Sequence, residues 1–390
     1  MFQSDLKNVN CLDQRFNLQF NNKLGVSPFF YNNNNFRISA RSLSLFLFFF
    51  FFFFLHKMNT LQNNSTPLAL QVPEIICQIL SWIMEDKTVN NTYKQIYQCL
   101  FVNSLWHDCT SRYLWKHIVF EDSKSEYESF KKFTSTVTRS NVKYYKAIRS
   151  IQLRKIKEKS LNDLLQQIAP CINRLEKLDF YICDHLSDIS LDLFVKNNVY
   201  STLTYISLAG CNKITDSFII SVAHHCPRLS HLDLRACGQI SDASISVIAE
   251  KCRNLHHLNV GRVRDRDRIS IQSISLIAKY TKVAVLGLAG CDMTDECLVM
   301  LAKHRGNKLE RISVNNCYKL TNRTIQAFVK YCPNLSVFEM KECHWIDDWS
   351  CVAELVQRRV LLTLCDQQNK ACVEWARRHG RVMNVKAPVK

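Results

Sequence analysis

Apolar and polar positions follow two alternating rhythms between residues 148 and 364. Short segments such as residues 203–208 alternate apolar and polar side chains, which is the period of a β-strand. The segments between them, such as residues 219–226, carry apolar side chains at i, i+3, i+4 and i+7, which is one face of an α-helix. The pattern therefore predicts strand–helix units that follow one another along this part of the chain.

The strand–helix unit recurs at a nearly constant length. The central apolar residues of the predicted strands are Ile151, Leu178, Ile206, Leu232, Leu258, Leu286, Ile312 and Phe338, spaced 26 to 28 residues apart. A cysteine follows most strands, and a Thr/Ser-Asp pair precedes several helices, where it supplies a capping oxygen and a negative charge. This combination resembles the cysteine-containing subtype of leucine-rich repeats, found mainly in F-box proteins. The resemblance implies an α/β fold, a right-handed horseshoe-shaped solenoid of about eight repeats with strands on the concave face.

The 18 cysteines do not form a metal-binding pattern. They stand mostly at the ends of strands and helices, and C-x-x-C is absent from the sequence, so neither a zinc site nor another cofactor is expected. Cysteine acts here as a small buried apolar residue, which implies a reducing compartment, the cytoplasm or nucleus. A secreted repeat receptor is the alternative, and it would require paired disulfides. The net charge of +17 is dispersed and no nucleic-acid-binding module is recognisable, so no nucleic-acid partner is expected.

Residues 1–57 differ in composition from the rest. They are rich in Asn and Phe and include seven consecutive phenylalanines, Phe48 to Phe54. The apolar run is shorter than the ~20 residues of a membrane helix, so no membrane association is expected. A signal-peptide hydrophobic region is one interpretation. We favour a disordered extension or a gene-model artefact with translation starting at Met58, followed by a polar linker, residues 58–67.

Residues 68–120 predict a small helical module. Pro73 and Glu74 suit the first turn of a helix whose apolar stripe includes Ile75, Ile79 and Leu80. A polar insert, residues 85–91, precedes a second helical segment with the phrase Cys-Leu-x-Val-Asn-x-x-Trp at residues 99–106, and Leu-Trp follows at 114–115.

The order of these features resembles an F-box, which implies docking on a Skp-type adaptor and, through it, on a cullin ubiquitin ligase. The residues that the resemblance assigns to adaptor binding are Pro73, Glu74, Ile75, Ile79, Leu80, Val102, Trp106, Leu114 and Trp115. Two features depart from the family pattern: Gln71-Val72 replaces the leading Leu-Pro, and the loop after Ile83 is long. The alternative is a helical bundle that only caps the solenoid.

The remaining boundaries follow from the repeats. Residues 121–147 predict a connecting helix, residues 148–364 the solenoid, and residues 365–390 a C-terminal cap with a basic tail. Side chains that point away from the core in the strands would form the concave partner-binding face. The candidates on this face and in its loops are Tyr181, Tyr205, His231, Asp233, Arg235, His257, Asn259, Arg264, Arg266, Arg311, Asn315, Glu339 and Lys341.

One repeat departs from the pattern after Val260. Val263 stands where the cysteine is expected, and the segment 261–268, which we call the arginine loop, carries extra residues and four arginines. These could hold a phosphate or an acidic segment. The alternative is that the alternating Arg and Asp residues pair with one another.

The sequence contains no phosphate-binding loop, no G-x-S-x-G and no H-E-x-x-H, so a catalytic role is not expected. The whole layout, including residues 99–106 and the Cys-His-x-Ile-x-Asp-Trp ending at 343–349, is similar to the fungal family of mitotic exit network antagonists. That resemblance implies a cell-cycle role with a small GTPase or a transcription factor as partner. The expected function is substrate recognition for a Skp–cullin–F-box ubiquitin ligase. The alternative is an interaction protein that sequesters a signalling partner, such as a small GTPase, without ubiquitin transfer.

Overall fold

The structure is a computed structural model that describes residues 68–85, 92–121, 124–139, 143–198 and 201–388. The hypotheses on residues 1–57 and on the linker 58–67 lie outside the described residues, as does most of the polar insert. The chain divides into two compact units, Met1–Leu114 and Trp115–Lys390.

The first unit is helical in its described part. A 3-10 turn, Leu68–Gln71, precedes α1 (Pro73–Glu85), α2 (Thr92–Cys99) and α3 (Ser104–Lys116), the last of which crosses the unit boundary. One face of α1 packs through Ile76, Leu80 and Ile83 into a core that includes Trp106. The indole Nε1–H of Trp106 donates to the Leu70 carbonyl at 3.3 Å, so the buried ring has a polar partner.

The second unit is a parallel sheet whose ten strands follow chain order. The strands are β1 (His117–Phe120), β2 (Ser150–Arg154), β3 (Lys177–Tyr181), β4 (Tyr205–Ser207), β5 (His231–Asp233), β6 (His257–Asn259), β7 (Val285–Gly287), β8 (Arg311–Ser313), β9 (Val337–Glu339) and β10 (Leu361–Thr363). The helices are α4 (Lys124–Arg139), α5 (Leu161–Ile168), α6 (Asp188–Lys196), α7 (Asp216–His225), α8 (Asp242–Lys251), α9 (Ile271–Tyr280), α10 (Asp295–Arg305), α11 (Asn322–Tyr331), α12 (Trp349–Gln357) and α13 (Asp366–Arg378). Within these described ranges no helix has the length and apolar character needed to cross a membrane.

The register of the sheet confirms the predicted repeat. The central apolar residues align directly, as in Ile206 opposite Leu232 and Leu232 opposite Leu258, and all three are fully buried. Helices that follow successive strands pack against one another, so each strand–helix unit buries its apolar face on its neighbours. The fold is therefore the predicted leucine-rich-repeat solenoid.

The sheet is longer than the predicted eight repeats. Its first strand is β1, which pairs with β2 through His117 opposite Ser150, so the sheet begins before residue 148. Helix α4, expected only as a connector, packs against α5 like the helices of the later repeats. At the other end, the β10 backbone N–H of Leu362 donates to the carbonyl of Lys386 in the C-terminal tail at 2.8 Å.

Aspartates at the helix starts join neighbouring repeats. Asp216 accepts from the backbone N–H of Ser241 at 2.8 Å and from its hydroxyl at 2.6 Å. Asp295 accepts from Thr321 in the same way. The Thr/Ser-Asp pair therefore does more than cap its own helix: its carboxylate fixes the cap of the next repeat.

The strand-end cysteines also link repeats. The thiol of Cys237 donates to the Leu208 carbonyl at 3.1 Å, and that of Cys343 to the Val314 carbonyl at 3.1 Å. The cysteines in the described residues are free, and burial raises the pKa of Cys237 and of Cys252 to about 12. These thiols therefore stay protonated and serve as small buried donors.

Candidate functional site

An exposed apolar stripe runs along α1 beside its packed face, and its member Ile79 also packs against the core. Val72, Ile75, Ile79 and Trp82 recur at spacings of three, four and three residues, so they share one side of the helix; we call them the docking stripe. Trp82 is 57% exposed and Ile75 is 39% exposed, whereas Ile79 is half-buried. Exposed tryptophan beside aliphatic residues is typical of a surface that another protein covers.

Three of the predicted adaptor-binding residues are core residues. Leu80 and Trp106 are buried in the helical core, and Trp115 is buried beside Phe133, with the ring centroids 5.8 Å apart. Their side chains are occupied by packing, so the assignment to adaptor contact is corrected for them. Leu80 was misassigned because one apolar stripe serves both the packed and the exposed side of α1.

The other predicted adaptor-binding residues reach the surface to different degrees. Pro73 and Glu74 are exposed at the start of α1, whereas Val102 and Leu114 are half-buried against the core. Exposed Phe101 precedes Val102 in sequence and contacts Tyr97 edge-on at 5.3 Å. Sequence reasoning missed Val72, Trp82 and Phe101; a test of whether each apolar residue falls on the packed or the opposite helical face would have found Trp82.

The strand face, formed by the strand side chains opposite the helices, carries a row of stacked rings. Tyr205, His231 and His257 align in register, and the ring centroids of each neighbouring pair are 3.9 Å apart. The ammonium of Lys177 lies 4.4 Å from the Tyr205 ring centroid and ends the row. The predicted candidates Tyr205, His231 and His257 are therefore brought together in one preformed aromatic surface.

The histidines of this row are neutral at physiological pH. Burial, followed by the neighbouring His257, lowers the pKa of His231 to about 4. Burial also lowers the pKa of His257. Neutral stacked rings favour contact with flat or apolar groups rather than with a carboxylate.

The carboxylates of the strand face are paired with cations. Asp233 is buried and holds Arg235 through both oxygens, with Nη2 to Oδ2 at 2.7 Å. Glu339 pairs with Arg311 across adjacent strands, and Asp179 with Lys177 at 3.1 Å.

Asparagines near the strand ends hold backbone N–H groups of their own or of the neighbouring repeat. Asn259 accepts from the N–H of Gly261 at 3.1 Å, and Asn315 accepts from the N–H of Lys341 at 2.7 Å. The side chains of Tyr181, Arg235 and Lys341 are exposed at the carboxyl ends of β3, β5 and β9. The predicted partner-binding set therefore divides into side chains that brace the face and exposed side chains, such as Tyr181 and Lys341, that a partner can reach.

The arginine loop differs from its prediction at Val263. Val263 does not take the place of the missing cysteine; its side chain is 83% exposed. Arg262 is buried instead, and its guanidinium donates to the carbonyls of Ile240 at 3.2 Å and Asp265 at 3.0 Å. Arg264 is exposed and Arg266 is half-buried.

One group of possible metal ligands occurs in the described residues. Glu342, His344 and Cys365 place one ligand atom each within 4.8 Å of one another. His344 and Glu342 already pair at 3.2 Å, and the backbone N–H of Cys365 donates to the side chain of Gln368 at the start of α13. Sequence reasoning missed the group because its residues follow two different strands. Two of the three side chains already pair with each other, which accounts for their proximity.

Comparison with known proteins gives a consistent set of relatives. No family model matches the chain. Curated fungal proteins named antagonist of mitotic exit network protein 1 are similar to it. The protein of Eremothecium gossypii is 30% identical over 304 residues, which is 76% of this chain and 75% of that protein. The protein of Yarrowia lipolytica is 45% identical over 178 residues, which is 46% of this chain and 24% of that protein.

The Saccharomyces cerevisiae protein of the same name is 28% identical over 263 residues, which is 65% of this chain and 45% of that protein. The chain thus spans three quarters of the Eremothecium protein but less than half of the other two. Among solved structures, a chain of the yeast Rad7 and Elc1 complex superposes with a TM-score of 0.44 and 16% identity, covering 63% of this chain and 65% of that chain.

Proposed function

The chain belongs to the family of the antagonist of mitotic exit network protein 1, and from this we propose that it acts by binding other proteins to restrain mitotic exit. Two surfaces support a binding role: the docking stripe on α1 and the strand face of the repeats. We propose no catalytic activity for the chain itself.

We further propose that the helical unit docks on a Skp-type adaptor, so that the chain serves as the substrate-recognition subunit of a cullin ubiquitin ligase. The observation that carries this proposal is the docking stripe. An aromatic and aliphatic side of a helix that the chain leaves exposed fits the helix-in-groove mode of recognition. Such a subunit contributes rate by proximity, because it holds substrate lysines near a conjugating enzyme supplied by other subunits.

The strand face would hold the substrate. Its row of neutral rings offers preformed aromatic area, and exposed Tyr181, Arg235 and Lys341 lie at its edge. Aromatic and arginine side chains contribute most to interface energies. We propose the cytoplasm or nucleus as the location, because the described cysteines are unpaired and buried thiols are maintained in reducing compartments.

The adaptor proposal is tested with the full chain and its cognate Skp-type adaptor by isothermal titration calorimetry. The wild type should bind with a micromolar or lower Kd. The double variant Ile75→Glu, Trp82→Glu should lose binding at least about 100-fold, since two carboxylates would be desolvated at the interface. Leu80 is unsuitable for substitution because it is a core residue and its replacement would unfold the unit.

A matched control replaces two exposed apolar residues of the repeat unit, Ile189→Glu and Val373→Glu, which are 71% and 54% exposed. It should bind the adaptor like the wild type, and circular dichroism should show both variants folded. Equal binding by the docking-stripe variant and the wild type would contradict the proposed surface. No binding by the wild type would favour the alternative, an interaction protein that sequesters a signalling partner such as a small GTPase.

A further inference from the structure

The arginine loop is held rigidly by the repeats around it. Besides its bonds to Ile240 and Asp265, Arg262 brings its own carbonyl against Gly290, where a Cβ would lie only 1.9 Å from the carbonyl oxygen. The carbonyl of Arg266 accepts from the backbone N–H of Asp292 at 2.9 Å. The loop is therefore fixed over the turns of two repeats, which lowers the entropy cost of binding through it.

The arginines of the loop do not pair with the aspartates between them. Across the residues that the structure describes, no carboxylate oxygen lies within 4 Å of a guanidinium nitrogen of Arg262, Arg264, Arg266 or Arg268. Arg266 donates to the Asn316 carbonyl, and Arg268 to the Gln239 carbonyl at 3.4 Å. The alternative, that Arg and Asp pair with one another, is wrong, because the guanidinium groups of Arg262, Arg266 and Arg268 bond to backbone carbonyls instead. Their positive charge is therefore left without a carboxylate partner.

Apolar side chains lie beside this charge. The guanidinium carbon of Arg266 is 4.5 Å from the ring centroid of Tyr318, which orients both groups, and Tyr318 is half exposed. Val263 projects from the loop and is 83% exposed. We call Val263, Arg264, Arg266, Arg268 and Tyr318 the arginine surface.

We propose that the arginine surface binds an acidic segment of a partner protein, rich in Asp and Glu and carrying one apolar side chain that packs on Val263 and Tyr318. This inference rests on the partner-binding part of the proposed function and is independent of adaptor docking. Carboxylates can bond to guanidinium groups through two parallel N–H donors, which adds geometric selectivity to charge attraction. The stacked Arg266–Tyr318 pair supplies the arginine and aromatic anchors that are typical of interface centres.

The test uses fluorescein-labelled 12-residue synthetic peptides and fluorescence anisotropy with the full chain. One peptide alternates Asp and Glu around a central Leu. The second, the amide peptide, replaces every Asp by Asn and every Glu by Gln. The third is the amide peptide with phosphoserine at two of the positions that are acidic in the first. The acidic peptide should bind at least about tenfold more tightly than the amide peptide, and the difference should shrink as salt is raised.

The variant Arg264→Glu, Arg268→Glu should bind the acidic peptide at least about tenfold more weakly than the wild type. These two positions are chosen because Arg266 also holds Tyr318 and Asn316. The control Lys251→Glu, Lys308→Glu makes the same change in net charge at exposed positions before the strands, and it should bind the peptide like the wild type.

Equal affinity for the acidic and amide peptides, or for the wild type and the Arg264/Arg268 variant, would overturn the proposal. Binding of the phosphoserine peptide alone would overturn the assignment to carboxylates. The Arg264/Arg268 variant should bind the Skp-type adaptor with the affinity of the wild type. A negative peptide test would therefore not contradict the adaptor proposal, and a negative adaptor test would not contradict the peptide proposal.

Discussion

The carboxylate of Asp295 accepts hydrogen bonds from the backbone N–H of Thr321 at 2.9 Å and from its hydroxyl at 2.6 Å, and Thr321 caps the next helix. A third bond comes from the hydroxyl of buried Thr324 at 2.6 Å. One side chain thus satisfies three donors of the following repeat.

Asp295→Ala should lower the free energy of unfolding by about 2 kcal/mol, because buried donors lose a charged acceptor. Urea unfolding followed by circular dichroism measures it, with exposed Glu296→Ala as the neighbouring control. Burial opposes ionisation of Asp295, but the bonds from Thr321 and Thr324 outweigh it and lower its pKa. Its contribution is therefore present above the unfolded pKa of about 3.9 and is lost as the pH falls through the folded pKa, so wild type and variant should converge in acid.

Ile271→Asp should stabilise the solenoid. Ile271 stands at the start of α9 where α7 and α8 carry Asp216 and Asp242, and Thr294 in the next repeat has no side-chain cap bond. A carboxylate at residue 271 would lie at a helix N-terminus and could accept from Thr294, for a gain of about 0.5–1 kcal/mol. Differential scanning calorimetry should show a higher Tm than for Gln272→Asp; an unchanged or lower Tm would contradict the predicted bond.

Gly290→Ala should be much more destabilising than Gly380→Ala. Both glycines have positive φ, +72° and +61°, but a Cβ at Gly290 would overlap the Arg262 carbonyl whereas one at Gly380 meets no atom within 4 Å. Backbone strain alone costs about 1–2 kcal/mol, and the overlap at Gly290 should bring the total to about 4 kcal/mol. Denaturant titration of the two variants separates the cost of backbone strain from the cost of the overlap. Similar losses of unfolding free energy in both variants would show that the arginine loop moves aside to accommodate the Cβ.

Alkylation should distinguish one cysteine from those of the repeats. Cys77 on α1 is exposed, whereas Cys237 and Cys252 are buried with the pKa of each raised to about 12 by burial. Because the thiolate is the reactive form, iodoacetamide at pH 7.5 should modify Cys77 within minutes, and Cys237 and Cys252 only in urea. Peptide mass spectrometry measures each site; early modification of Cys237 in the native protein would contradict its burial.

The repeats could be predicted because most of them carry several features of the same signal. Ile206, Leu232 and Leu258 recur at fixed spacing, and this repetition allowed the strand register and the core residues to be predicted. The first strand, His117–Phe120, escaped prediction because it lacks the following cysteine and the Thr/Ser-Asp pair. A repeat at the end of an array packs on one side only and keeps fewer of the shared residues.

The candidate binding sites were less predictable because they depend on whether a side chain lies on the packed or the exposed face of its helix or loop. Leu80 and Trp82 are two residues apart on α1, yet one is core and the other is exposed. In the arginine loop, composition could not decide whether the guanidinium groups bond to aspartates or to carbonyls; that depends on the turns that the neighbouring repeats present.

The bond from Leu362 to the Lys386 carbonyl bears on self-association. Parallel strands that end an array offer unpaired N–H and C=O groups on which a second chain can polymerise. Here a segment of the same chain takes up part of that edge. Removing residues 382–390 should therefore expose the β10 edge to pairing with another chain. The C-terminal tail thus protects the protein from end-to-end association as well as extending the fold.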